Sequence, residues 1–60
     1  MKIRILENVK VNGTLNKSLV INADSIDLVL STSSENQFII VTRSNMKISV
    51  NAEQKDYLLK

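Results

Sequence analysis

The stretch QFIIVT, residues 37–42, carries large apolar side chains at four successive positions. Successive side chains of a strand point to opposite faces. Phe38 and Ile40 would therefore share one face of a strand. Ile39 and Val41 would share the other. A fold that contains this strand has to cover two apolar faces, and this requirement constrains the chain more than any other feature.

The chain is short for that task. Its 60 residues make one small domain, residues 1–60. A domain of this size buries only about 60% of the surface that its unfolded chain exposes, and it commonly gains stability from disulfides, metals or partner subunits. The chain has no Cys and no His, which excludes disulfides and the usual transition-metal ligands. We therefore expect it to gain stability from another protein chain.

The first third of the chain predicts a β-hairpin. Residues 3–11 and 15–21 alternate apolar and polar positions with a period of two, and Asn12-Gly13 marks a turn between them. A two-residue loop would place apolar residues opposite Asn side chains. We therefore favour the three-residue loop 11–13, with Gly13 in the left-handed conformation. The pairs expected from this register are Ile3–Ile21, Ile5–Leu19, Glu7–Lys17 and Val9–Leu15.

Residues 25–50 predict a three-stranded antiparallel meander with residues 37–42 as its middle strand. A three-residue turn at 43–45 would join the last two strands, with Asn45 in the left-handed conformation that Asn tolerates. The polar segment 32–36 would join the first two strands. The pairs expected are Thr42–Met46, Ile40–Ile48, Phe38–Val50, Leu30–Phe38 and Leu28–Ile40.

Two further segments complete the prediction. Residues 22–25 favour a loose corner, because a tight primed turn would need positive φ at Ala23. Residues 51–60 predict a short helix, with Asn51 as N-cap and Gln54 completing a capping box. The sequence thus predicts an all-β fold with one short C-terminal helix, in which a five-stranded antiparallel meander forms a small barrel or sandwich.

In this arrangement one face of the meander packs against the first hairpin. The other face is expected to carry Val29, Ile39 and Val41, beside Lys47. Three structures could cover this second face: the terminal helix, a second copy of the chain, or a different protein. The helix supplies one Tyr and two Leu at most, so we predict self-association through these four residues, most simply as a homodimer.

The chain offers little for catalysis. Without His or Cys it has no triad, no thiolate and no imidazole base. Asp24 and Asp27 are close in sequence, but strand alternation would separate them. With Glu35 they match no calcium-loop spacing, and the single Gly13 makes no phosphate-binding loop. We expect no enzyme activity, no catalytic residue, no metal, no cofactor and no small-molecule substrate.

Nucleic-acid binding is the alternative from a different class. Lys2, Arg4 and Lys10 share even positions in the first strand, and Arg43 and Lys47 flank the last turn. A basic stripe of this kind can contact phosphates. The chain has one Phe and one Tyr, which is too few for a base-stacking platform. Any such binding is expected to be weak and salt-sensitive.

Location and origin follow from composition. No apolar run approaches the ~20 residues of a membrane span, and the start of the chain lacks a signal-peptide core. The abundance of Ile, Lys and Asn is typical of AT-rich genomes. We expect a cytoplasmic protein of bacterial or phage origin that acts as a non-catalytic protein-binding or accessory regulatory module. An inhibitor of a host protein system, encoded by a phage or mobile element, is one form of this.

Several segments follow an order known from another small protein. Val11-Asn12-Gly13 is followed by INADSI at 21–26, by the apolar strand 38–41 and by a last strand at 48–50. Over residues 11–50 the chain resembles the small flagellar FlbD/SwrD family. That family has Pro-Asp-Thr where this chain has the Ser-Glu-Asn of residues 34–36. The resemblance lies in the order of the turn segments between strands and implies a β-meander. We do not extend the family's role in motility to this chain.

Overall fold

A computed structural model describes all residues from Met1 to Lys60. It has five antiparallel strands in one sheet and one C-terminal helix, which confirms the predicted all-β class. A 3₁₀ turn, Ala23–Ser25, forms the corner expected between the second and third strands. The helix has neither the length nor the apolar character to cross a membrane. The elements are β1 (Ile3–Val11), β2 (Thr14–Asn22), β3 (Ile26–Ser31), β4 (Phe38–Thr42), β5 (Lys47–Val50) and α1 (Ala52–Leu59).

The strand order in the sheet is β2-β1-β5-β4-β3, so a hairpin and a meander are joined through β1 and β5. β2 and β3 are the two edges, yet only the 3₁₀ turn separates them along the chain. Four residue steps span at most about 14 Å, whereas the edges of a flat five-stranded sheet would lie about 19 Å apart. The sheet therefore curls, but its edges do not pair and it does not close into a barrel.

The register of the first hairpin differs from the prediction. Asn12 (φ 51°) and Gly13 (φ 85°) form a two-residue loop. Two successive residues with positive φ are what a type I′ turn requires. The expected three-residue loop is therefore wrong, and so is the Glu7–Lys17 pair. The observed pairs are Ile3–Asn22, Arg4–Ile21, Ile5–Val20, Leu6–Leu19, Glu7–Ser18, Val9–Asn16, Lys10–Leu15 and Val11–Thr14.

A break in the alternation of β1 explains this register. Leu6 and Val9 are both buried, at 3% and 2% exposure, although they are three residues apart. Between them Asn8 has φ 55°, which switches the side chains that follow to the opposite face. Ile3 and Ile5, at 47% and 57% exposure, therefore lie on the solvent side. The predicted register placed Ile3, Ile5, Val9 and Val11 on one face of an unbroken strand. It is wrong because the strand changes face at Asn8.

The meander confirms one predicted register and corrects the other. β4 and β5 pair as expected, with Phe38 opposite Val50 and with Asn45 in the left-handed conformation at φ 66°. β3 is offset by one residue, because an irregularity lies between Ile26 and Leu28. Val29 is therefore opposite Ile40 and packs against the core.

The C-terminal helix closes the core side of the sheet. Its predicted capping box is confirmed, with Asn51 Oδ1 2.8 Å from the Gln54 amide and Gln54 Oε1 2.9 Å from the Asn51 amide. Leu58 is 1% exposed and belongs to the core. The complete core cluster is Leu6, Val9, Ile21, Ile40, Ile48, Val50 and Leu58.

Candidate protein-binding face

The side of the sheet opposite the core, here called the outer face, has no element of the chain packed over its centre. Burial of Ile40 and Ile48 fixes which side of β4 and β5 is the core side. Their strand neighbours then point outward, and the register extends that side to the other strands. One row across all five strands consists of Leu30, Ile39, Ser49, Lys10 and Leu15.

Four apolar residues form the centre of one half of this face. Leu28 and Leu30 of β3 are 45% and 46% exposed. They lie opposite Val41 and Ile39 of β4, which their neighbours leave half-buried. We call Leu28, Leu30, Ile39 and Val41 the outer patch.

The outer patch differs from the predicted surface in one strand. Ile39 and Val41 lie where the sequence placed them. Val29 does not, because the offset in β3 turns it to the core and turns Leu28 and Leu30 outward. The predicted surface was therefore wrong in its β3 member.

The helix does not provide the cover that was one of the three expected alternatives. Leu58 inserts among the core residues on the other side of the sheet. Tyr57 stays 43% exposed, with the Arg4 guanidinium carbon 5.4 Å from its ring centre. The buried side chain of the helix thus packs into the same core as the inner side of the curled sheet, and no side chain of the helix covers the outer patch.

Two lysines border the outer patch on the β5 side. Lys47 lies opposite Val41, and its backbone is held by Asn12: the Asn12 amide donates to the Lys47 carbonyl at 2.8 Å, and the Lys47 amide donates to Asn12 Oδ1 at 3.0 Å. Lys10 lies opposite Ser49 on the same face. Lys47 is therefore placed beside the apolar residues as the sequence predicted.

The predicted basic stripe is not formed. Arg4 turns to the core side against Tyr57, and its Nε is buried without a hydrogen-bond partner. Lys2 donates to the carbonyl of Lys60 at the end of the helix. Arg43 lies in the β4–β5 turn, where its amide donates to the Ser25 carbonyl at 2.9 Å. Lys10 alone of the first-strand cations reaches the outer face, because the face switch at Asn8 separates it from the other two.

The acidic residues considered in the sequence do not form a site. No three of them come together as ligands for a metal ion. Asp24 pairs with the amino group of Met1 at 3.4 Å, and both groups are exposed.

A polar groove, missed in the sequence, lies at the end of β5. It has a volume of about 720 Å³ and runs between the middle of β1, the β3–β4 loop and the start of α1. Its polar lining includes Asn8, Lys10, Asn36, Ser49 and Asn51. The signal in the sequence is the pair of amides Asn36 and Asn51, which alone predict no more than a loop and a helix cap.

No protein-family model, curated protein or solved structure matches this chain. The similarity to the FlbD/SwrD family stays a prediction that rests on the segments quoted for it.

Proposed function

We propose that this protein is a non-catalytic protein-binding module that associates with itself through the outer face. One observation carries the proposal: the outer patch is an apolar surface on the side of the sheet that the helix leaves open. Apolar surface of this kind marks contact sites in soluble proteins when it is contiguous and rimmed by polar residues. Lys47, Ser49 and Lys10 supply such a rim.

The size of the chain limits the strength of this association. A standard interface takes about 800 Å² from each partner, roughly a fifth of the 4235 Å² that this chain exposes. Four apolar residues supply only part of that area, so the contact has to extend over the rim towards Leu15. We expect a weak and reversible dimer whose population depends on protein concentration.

The proposal can be mapped at single residues. In a dilution series of amide nitrogen–proton NMR spectra, we expect the amide signals of Leu28, Leu30 and Ile39 to move with concentration. The signals of Leu6 and Ile21 in the core should stay in place. Signals that do not move up to millimolar protein, or that move only in the helix, would contradict a contact through the outer face.

The proposal extends to the biological setting. It takes the chain to be a cytoplasmic accessory regulator of bacterial or phage origin, of which an inhibitor of a host protein system is one form. The lack of His and Cys and the absence of a gathered acidic cluster support a role without catalysis. A turnover that disappears in the Asp24→Asn variant would contradict that role.

A second candidate function is weak binding to nucleic-acid backbones. Lys10 and Lys47 are diagonal neighbours across β1 and β5 on the outer face, a spacing of roughly 7–8 Å between backbones. They can contact phosphates, but two lysines release few counterions. Fluorescence anisotropy with a labelled single strand tests this: submicromolar binding that survives physiological salt would favour it over protein binding.

A further inference from the structure

The groove at the end of β5 has a polar lining with one charge. Lys10 is its only charged residue, and no carboxylate lines it. Its volume of about 720 Å³ lies within the range of roughly 300–1,000 Å³ typical of ligand sites. The rest of the polar lining is made of amide and hydroxyl side chains, which include Asn8, Asn36, Ser49 and Asn51.

Hydrogen bonds set the orientation of two of these amides. Asn36 Oδ1 accepts from the Ala52 amide at 3.0 Å. Asn51 Oδ1 accepts from the Gln54 amide at 2.8 Å. Since each carboxamide uses its oxygen to cap the helix, the group left over in each case is the NH₂, which only donates. Neither NH₂ group donates within the chain.

The helix start itself is therefore not the site. Its Ala52 and Gln54 amides already donate to side-chain oxygens, and the Asn51 amide donates to Gln54 Oε1 at 2.9 Å. The polar side chains of the groove include these two NH₂ groups, which donate to nothing in the chain, and the Lys10 ammonium group. This donor set fits a ligand that accepts hydrogen bonds and carries negative charge.

We propose that the groove binds the carboxylate side chains of an extended acidic segment of a partner protein. This rests on the proposed protein-binding function, because Ile39 and Lys10 belong to both the outer face and the groove. The apolar part of the lining consists of Leu15, Phe38, Ile39 and Val50, and it suits a segment in which acidic and apolar side chains alternate. A single cation suits a carboxylate better than a nucleic-acid backbone, which engages several cations at once.

Two substitutions remove the donors and keep the fold. Asn51→Asp retains an oxygen that caps the helix, since Asp and Asn are about equally good N-caps. Asn36→Asp retains the acceptor for the Ala52 amide and places a negative charge at the favourable end of the helix dipole. Both variants should melt at or above the wild-type temperature. Both turn an NH₂ donor of the groove into a carboxylate oxygen that repels an acidic ligand.

The experiment titrates the full chain with an acetylated, amidated hexapeptide of alternating Glu and Leu, followed by NMR. We expect shifts at groove residues, and a Kd that rises at least about tenfold in Asn51→Asp and in Lys10→Gln, as for the loss of one hydrogen bond to a charged group. The matched control is Lys17→Gln, which lowers the net charge by one like the other two but lies outside the groove; it should bind as wild type does. The same hexapeptide with Gln in place of Glu should not bind.

Three results would overturn the proposal: no binding of the Glu–Leu peptide, equal binding of the Gln–Leu peptide, or tighter binding of a ten-nucleotide single strand at the same residues. The Val41→Lys variant separates this proposal from self-association, because Val41 does not line the groove. It should stay monomeric and still bind the peptide. If the wild type binds the peptide but never self-associates, the proposal for the groove stands and the proposed dimer is refuted.

Discussion

Three asparagines in the left-handed conformation shape this small sheet. Asn12 and Asn45 form turns, at φ 51° and 66°, and both turns could be located from the sequence because Asn and Gly are typical turn residues. Asn8, at φ 55°, lies inside β1. Nothing in its sequence neighbourhood distinguishes it from a solvent-facing strand residue. The loop length of the first hairpin and the faces of Ile3 and Ile5 were therefore not predictable from alternation.

The role of Asn8 can be tested by substitution. Asn8→Val should lower the free energy of unfolding by about 1–2 kcal/mol, because a β-branched side chain strongly disfavours positive φ. Asn8→Gly should leave it unchanged or raise it, because Gly adopts this conformation without a steric penalty. Urea unfolding measures both. Ser18→Val serves as the control on the neighbouring strand, where φ is negative, and a loss there as large as in Asn8→Val would contradict the explanation.

At the level of elements, the helix and the last hairpin were predictable and β3 was not. The capping box at Asn51 and the three-residue turn at 43–45 are local signals, and each was found where the sequence placed it. The register of β3 depends on the irregularity between Ile26 and Leu28. One displaced residue exchanges the two faces of a strand. Alternation alone therefore predicts Val29 on the surface and Leu28 and Leu30 in the core, which is the reverse of their observed positions.

The helix should depend on a single buried anchor. Its eight residues are too few for a helix that is stable alone. Leu58→Ala should lower the free energy of unfolding by about 2–5 kcal/mol, which is comparable to the ~3–5 kcal/mol that a core of this size supplies. Circular dichroism should find that variant largely unfolded at 25 °C. Leu59→Ala removes the same atoms from a side chain that is 52% exposed, and a similar loss there would contradict the assignment of Leu58 as the anchor.

The two sides of the sheet differ in the whole molecule: one side is covered by the helix and forms the core, and the other side has no cover within the chain. β1 and β5 pair only through Lys10–Ser49 and Val11–Ile48, and this narrow seam joins the hairpin to the meander. The core lies on one side of the joined sheet, beneath α1. On the other side lies the outer patch, whose β4 members were predictable from QFIIVT because consecutive apolar residues must occupy both faces. The groove was not predictable, since loop, strand end and helix start come together only in the folded chain.

Sedimentation equilibrium over a concentration series tests self-association through the outer face most directly. We predict that the wild type changes from monomer to dimer as its concentration rises. Val41→Lys should stay monomeric throughout, because an ammonium group in the contact would be buried beside Lys47 without a partner. Lys17→Ala, on the exposed hairpin, should behave as the wild type does. A wild type that stays monomeric at millimolar concentration, or a Val41→Lys variant that dimerises equally well, would contradict the claim.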